Sequence, residues 1–290
     1  MYKAIAANKR NTVLIMAVFV ALISVIGYII SLYYGNTTIS YFVIGGAALY
    51  ALIQYFIASK LAMALTGAQE IQKKDNPRFY RIVENLAITL GMNTPKVYII
   101  DDKAPNALAT GRDPKHAMVA ATTGLLEIMD DRELEAVMAH EMGHVQNYDI
   151  RVTMIAFGLV SAISILSDVI IRVLFYGDNR RDVNPVVLVV GLIVVIIAPI
   201  VATMVQLAIS RQREYLADAT GALTTRDGEG LANALEKLQK YGQPMKRQTT
   251  STAHLFISNP LKAGFLSKLF STHPPLEDRI KRLRNNASTF

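Results

Sequence analysis

Four long apolar segments constrain the fold of this chain more than any other feature. They run approximately over residues 12–34, 38–58, 152–175 and 185–209. A helix needs about 20 mostly apolar residues to cross the hydrocarbon core of a bilayer, and each segment is long enough. The composition agrees, because charged residues make up only 18% of the chain, against about 25% in a typical soluble domain. We therefore predict four transmembrane helices in contact with a lipid bilayer.

The basic residues predict the orientation of these helices, because lysine and arginine collect on the cytoplasmic side of a membrane. The two loops on the opposite side, 35–37 and 176–184, are short. We therefore expect a multi-pass protein of the cell membrane with both termini in the cytoplasm. The basic residues beside the spans on that side are Lys3, Lys9, Arg10, Lys60, Lys73, Lys74, Arg211 and Arg213.

The net charge of +7 fits a chain that lies against the inner face of a membrane. Since no basic stretch belongs to a recognisable nucleic-acid-binding module, we predict no nucleic-acid partner. The chain has no cysteine, which excludes disulfides and thiolate ligands. Any metal ion must therefore be bound by histidine, aspartate or glutamate.

The chain alternates between membrane hairpins, 1–58 and 152–209, and polar segments, 59–151 and 210–290. Each polar segment is small for a domain, so we expect the two to pack into one cytoplasmic domain that is mainly α-helical with a small β-sheet. The predicted elements are a helix from Asn76-Pro77 to Gly91, strands over 96–100 and 117–121, a helix from Asp130 to about Gln146, a helix over 228–241 and a short helix after Pro274-Pro275. Residues 243–272 are predicted to form a mobile loop.

The third apolar segment is the weakest, since it contains Asp168 and Arg172. Residues four apart share a helix face and can pair. An ionisable residue inside a span is by default a functional indication, but we favour a structural pair that faces the neighbouring helix.

Residues 140–144 read His-Glu-Met-Gly-His, an H-E-x-x-H motif. On a helix, His140 and His144 share a face and can bind one ion. Glu141 lies beside that face and can accept a proton from water whose pKa zinc lowers from about 15.7 to about 7. The alternative is a pair of surface histidines. We favour the metal site, because the motif follows a predicted capping box of Asp130 and Glu133.

Catalytic zinc takes three protein ligands, and the next glutamate after His144 is Glu214. His144 lies about eight residues before the third apolar segment, and Glu214 lies about five residues after the fourth. An antiparallel hairpin would bring both to one membrane face. Glu214 and Asp218 share a helix face, so that one can bind the ion while the other orients a histidine. A solvated position at the membrane interface is the alternative for Glu214.

These residues resemble the HtpX family of membrane zinc metalloproteases, relatives of the CAAX prenyl endopeptidases. The resemblance covers nearly the whole chain. It includes the two hairpins, HEMGH at 140–144, EYLAD at 214–218, STHPP at 271–275 and PNALATG at 105–111, where Leu108 replaces the usual phenylalanine.

The resemblance implies a gluzincin-like (zincin) catalytic domain and one Zn²⁺ per chain, bound by His140, His144 and Glu214. It implies that Glu141 is the catalytic base and that Asp218 supports a zinc ligand. The implied activity is the hydrolysis of misfolded or damaged membrane proteins, or other unfolded polypeptides, at the cytoplasmic face.

Other positions have weaker indications. His273 precedes the Pro-Pro helix start and can donate to the developing oxyanion; helix capping is its alternative role. A strand edge near Asn106, Ala107 and Gly111 can pair with a substrate backbone, although an ordinary turn explains these residues equally well. His116 and His254 match no motif and are expected at the surface.

Two other functions stay open. A non-catalytic four-span scaffold or transporter-like protein with a structural metal site would also contain the motif. Transporters carry several ionisable residues within their spans, and here only Asp168 and Arg172 stand out. A zinc enzyme that cleaves prenylated C-terminal peptides is the other alternative, but four spans do not favour the large chamber of the prenyl endopeptidases.

Overall fold

A computed structural model describes residues 2–159, 161, 162, 191, 211–247, 252–261 and 274–286. Several sequence predictions fall outside this part of the chain. They are the fourth apolar segment, most of the third, the Asp168/Arg172 pair and His273.

The N-terminal hairpin consists of α1 (Tyr2–Tyr34) and α2 (Thr38–Thr66), which pack against each other. In the described part of the chain, two stretches are long and apolar enough to cross a membrane, namely Ile5–Leu32 and Thr38–Thr66. Large apolar side chains such as Tyr41 and Phe42 project outward from this hairpin, as in a helix pair surrounded by lipid. The helix α2 continues eight residues beyond its predicted end, and its last turns pack in the core of the polar domain.

A four-stranded sheet forms one layer of that domain. Its strands are β1 (Gln69–Glu70), β2 (Lys96–Ile100), β3 (Ala107–Gly111) and β4 (Ala117–Thr122), in the order β1-β2-β4-β3. Only β2 and β4 are parallel. The sequence predicts β2 and β4 but not β3, whose alanines and glycine have low strand propensity. Every residue of β3 is buried, and small side chains there allow the neighbouring helix to approach.

Helices α3 (Pro77–Thr89), α4 (Thr123–Ile128) and α5 (Asp131–Gln146) belong to the first polar segment. As predicted, α5 begins with a capping box. The Asp130 carboxylate accepts the Glu133 N–H at 2.8 Å, and the Glu133 carboxylate accepts the Asp130 N–H at 3.0 Å. This box fixes the first turn of the helix that carries the H-E-x-x-H motif. Residues 149–159 are also helical and follow α5 after a tight turn.

The second polar segment supplies α6 (Arg211–Thr225), α7 (Gly228–Tyr241) and α8 (Leu276–Asn285). Side chains of α6, α7 and α8 share one apolar core with α3, α5 and β4. Residues from both polar segments therefore build one core, around α5.

The prediction of a mobile loop over 243–272 is wrong for residues 255–257. Phe256 and Ile257 are buried in the core, and Phe256 forms an antiparallel bridge with Leu108 of β3. The three consecutive apolar residues 255–257 account for this burial, because they remove more apolar surface from water than a solvated loop would.

Candidate metal centre

His140, His144 and Glu214 converge in the core between α5 and α6. One ligand atom from each residue lies within 4.8 Å of the others. The Glu214 carboxylate is 3.7 Å from His140 Nε2 and 3.5 Å from His144 Nε2. Ligand atoms arranged tetrahedrally around zinc at 2.0–2.2 Å lie about 3.4 Å apart. Two imidazole nitrogens and a carboxylate oxygen at these separations therefore fit a metal ion.

Close contact between α5 and α6 makes this convergence possible. Gly221 lies where α6 crosses the motif, and a Cβ atom there would be 3.0 Å from the backbone nitrogen of His140 and 3.2 Å from its Cα. A larger residue would push α6 away from α5. Glu214 and Asp218 lie on the same side of α6 as Gly221 and reach the two imidazoles.

Each imidazole also contacts a carboxylate through its other nitrogen. His140 Nδ1 lies 3.0 Å from Asp218 Oδ1, and His144 Nδ1 lies 3.1 Å from Asp149 Oδ2. Such contacts fix the tautomer and the orientation of a ligating histidine. Both Nε2 atoms then point toward Glu214. The sequence suggests Asp218 for such a role but not Asp149.

Arg279 of α8 also belongs to the centre, a role that the sequence analysis does not predict. Its side chain is 0% exposed. The guanidinium donates to both oxygens of Asp218, at 2.9 and 2.7 Å, and Nη1 lies 3.6 Å from Glu214. A signal was available, because Arg279 falls on the apolar stripe of its helix together with Ile280 and Leu283. An arginine on such a stripe indicates a buried ion pair.

The electrostatics differ between the two histidines. Burial and the positive charge of Arg279 lower the pKa of His140 to about 4, although Asp218 opposes them. Burial also disfavours protonated His144, but Glu214 and Asp149 outweigh it and raise the pKa of His144 to about 9. For Asp218, burial is outweighed by Arg279 and His140, which lower its pKa to about 2. The aspartate is therefore ionised at neutral pH.

A cleft opens over the two histidines and Glu141. Glu141 is buried on α5 and lines the cleft together with Ala109 of β3. Residues 254–257 also line the cleft, so His254 is at the cleft and not at the surface as predicted. His116 is exposed, as predicted.

The structure places the predicted substrate-binding residues along β3, where the chain's own residues 256–258 cover part of the edge. The Asn106 side chain donates to the Ser258 carbonyl at 2.8 Å and accepts the Ser258 N–H at 3.2 Å. Ile257 N–H donates to the Ala107 carbonyl at 3.0 Å. The edge is therefore not open at Asn106 and Ala107, whereas Ala109 lines the cleft.

Gly111 ends β3 with φ +148°, and a Cβ atom there would lie 2.7 Å from the His116 carbonyl. The backbone thus requires glycine at this position.

Comparison with known proteins decides the family. The model of peptidase family M48 matches residues 73–287, which include both histidines, Glu214 and Arg279. The chain belongs to peptidase family M48. A protease HtpX homolog of Tropheryma whipplei (strain Twist) is 56% identical to this M48 chain over 291 residues, covering 100% of both chains. A protease HtpX homolog of Dictyoglomus thermophilum is 45% identical, covering 98% of this chain and 94% of the relative.

The crystal structure of S. mikatae Ste24p shows the same fold. It is 20% identical in sequence, with a TM-score of 0.52, and the match covers 98% of this chain and 67% of that one. Family M48 and the HtpX relatives, with the two apolar helices and the His-His-Glu group, identify the chain as a membrane-bound metalloprotease. This confirms the predicted family.

Proposed function

We propose that the chain is a zinc endopeptidase in which His140, His144 and Glu214 bind the ion and Glu141 is the general base. The observation that carries this proposal is the convergence of ligand atoms from α5 and α6 beside the Glu141 carboxylate. Zinc is the metal that best suits two imidazoles and one carboxylate with a remaining open position.

A bound zinc ion would lower the pKa of water to about 7 and polarise the scissile carbonyl. Glu141 accepts the proton of the attacking water, whose oxygen forms the new bond to the carbonyl carbon. When the C–N bond breaks, Glu141 passes that proton to the leaving amine. Asp218 and Asp149 hold the two imidazoles in place throughout. His273 stays a prediction for oxyanion stabilisation.

The proposed substrates are unfolded or damaged membrane polypeptides at the cytoplasmic face. Three observations support this. The centre is next to the start of α1, since Asn8 contacts the turn that follows the motif, and we infer from this that the cleft lies close to the membrane surface. The cleft wall includes Leu255, Phe256 and Ile257, and such a wall favours apolar substrate side chains. Lys9 and Arg10 beside Asn8 support the cytoplasmic orientation.

The test is Glu141→Gln in the full-length chain, purified in detergent and loaded with zinc, with casein as substrate. We expect zinc to stay bound while hydrolysis falls at least 100-fold, because general-base catalysis contributes about 10²–10⁴-fold. Glu135→Gln, on the same helix but away from the cleft lining, is the matched control and should retain activity. Full hydrolysis by Glu141→Gln would rule out the mechanism. Bound zinc without hydrolysis by the unmodified chain would instead favour the scaffold alternative.

A further inference from the structure

The first apolar helix reaches the metal centre through one buried side chain. The Asn8 amide donates to the Asn147 carbonyl at 2.8 Å and to Asp149 Oδ1 at 2.7 Å. Asp149 Oδ2, the other oxygen of that carboxylate, lies 3.1 Å from His144 Nδ1. Asn8 is 3% exposed and Asp149 is 4% exposed, so water does not compete strongly for these contacts.

The turn that Asn8 contacts is strained. Tyr148 lies between Asn147 and Asp149 with φ +62°, in the left-handed region, where a bulky residue costs about 1–2 kcal/mol. Such a conformation persists only where the surroundings hold it. Helix α1 provides part of this support, since the Lys9 ammonium lies 4.7 Å from the centroid of the Tyr148 ring. Both hydrogen bonds from Asn8 fix the same turn from the same side.

The contact between Asn8 and Asp149 is continuous with an apolar interface. Ile15 and Phe19 lie about two and three helical turns beyond Asn8 on α1. They pack with Val152 and Ile155 of the helix over 149–159. The position of Asn8 relative to Asp149 is therefore set by packing over several helical turns.

We propose that α1 is a structural component of the metal centre as well as an apolar helix of the membrane hairpin, and that Asn8 is a positioning residue that holds Asp149 and, through it, His144. This inference rests on the proposed function, in which His144 binds zinc. The sequence alone assigns the start of α1 only to membrane anchoring.

The test measures zinc affinity of the full-length chain in detergent, by competition with a chromogenic chelator. The variants are Asn8→Ala, Asn8→Asp, Asp149→Asn and the double variant Asn8→Ala/Asp149→Asn. Ser24→Ala is the matched control, because Ser24 donates to Val20 within α1, far from the turn. Thermal unfolding of each metal-free variant reports on general damage to the fold.

We expect Asn8→Ala to weaken zinc binding about tenfold, as the loss of partners of ligating residues typically does. Asn8→Asp should weaken it more, since it places a second carboxylate against Asp149. In the Asp149→Asn background, Asn8→Ala should have a smaller effect on zinc affinity than in the unmodified chain, because the charged partner through which Asn8 acts on His144 is then absent. Ser24→Ala should bind zinc as the unmodified chain does.

Three outcomes would overturn the inference. One is zinc affinity within twofold of the unmodified chain in both Asn8 variants. The second is an effect of Asn8→Ala that is as large without the Asp149 carboxylate as with it. The third is a loss of affinity fully matched by unfolding of the metal-free variant. Failure of the unmodified chain to bind zinc would be a different result, since it would remove the proposed function itself.

Discussion

Arg279 and Asp218 form a fully buried, two-pronged ion pair, with Nε–Oδ2 and Nη2–Oδ1 distances of 2.9 and 2.7 Å. The same guanidinium also lies 3.6 Å from Glu214. Helix α8, close to the C-terminal end of the chain, thus supplies the positive charge for two carboxylates of α6. Asp218, which contacts His140 Nδ1, is held by Arg279 of α8. Asp149, which contacts His144 Nδ1, is held by Asn8 of α1 and also lies 3.7 Å from Arg213 of α6.

Replacing Arg279 with methionine should destabilise the metal-free chain by about 3–5 kcal/mol, because it leaves the buried Asp218 carboxylate without its cation and removes a positive charge near Glu214. Arg279→Lys should be intermediate, since a lysine keeps the charge but not the two-pronged geometry. Thermal unfolding in detergent measures both effects. Zinc should restore part of the lost stability by supplying positive charge.

Arg284→Met is the matched control for that experiment. It lies on the same helix, and its ion pairs with Glu229 and Glu236 are exposed, where such pairs contribute about 0–1 kcal/mol. Equal destabilisation by the two methionine variants would contradict the role assigned to the buried pair.

Zinc affinity should depend on pH through His144. In the metal-free chain its pKa is about 9, so the imidazole is mostly protonated at pH 7, whereas a metal ligand must be neutral. Binding therefore displaces a proton, and affinity should rise about tenfold per pH unit up to pH 9 and then level off. His140, with a pKa of about 4, adds nothing above about pH 5. Chelator competition between pH 6 and 10 measures this slope, and a flat profile from pH 7 to 9 would be the contrary result.

Asn106→Ala should loosen residues 256–258, because it removes both side-chain hydrogen bonds to Ser258. Loss of buried hydrogen bonds typically costs about 1–3 kcal/mol. Hydrogen–deuterium exchange should show faster exchange at Ile257 and Ser258, with Asn286→Ala at the exposed end of α8 as the control. An increased KM for casein with unchanged exchange would instead indicate that Asn106 binds substrate directly.

Local sequence signals predict those parts of the fold that depend on neighbouring residues. The capping box of Asp130 and Glu133 locates the start of α5, and the apolar run over 96–100 gives β2 with the observed bounds. The sequence does not predict β3, because its alanines and glycine have low strand propensity. These small residues allow close packing against α5, which depends on the tertiary structure. Burial of residues 255–257 likewise depends on the distant edge of β3.

In the candidate site, too, features set by neighbouring residues can be predicted and features set by distant residues cannot. The spacing of His140 and His144 is a property of one helix and can be read from the motif. The residues that hold the carboxylate partners of these histidines cannot be read in this way. Asn8 and Arg279 lie 132 and 139 positions from His140 and reach the centre only through the packing of α1 and α8. Asp149 is close in sequence, but only the conformation of Tyr148 turns its carboxylate back toward His144.

X-ray absorption at the zinc edge, on the unmodified chain and on Glu214→Ala, tests most directly whether α5 and α6 meet at one ion. The unmodified chain should bind about one zinc, with two imidazole nitrogens and a carboxylate oxygen at about 2.0–2.2 Å. Glu214→Ala should lose the carboxylate signal and most of its bound zinc. A zinc content and spectrum unchanged by Glu214→Ala would contradict the account.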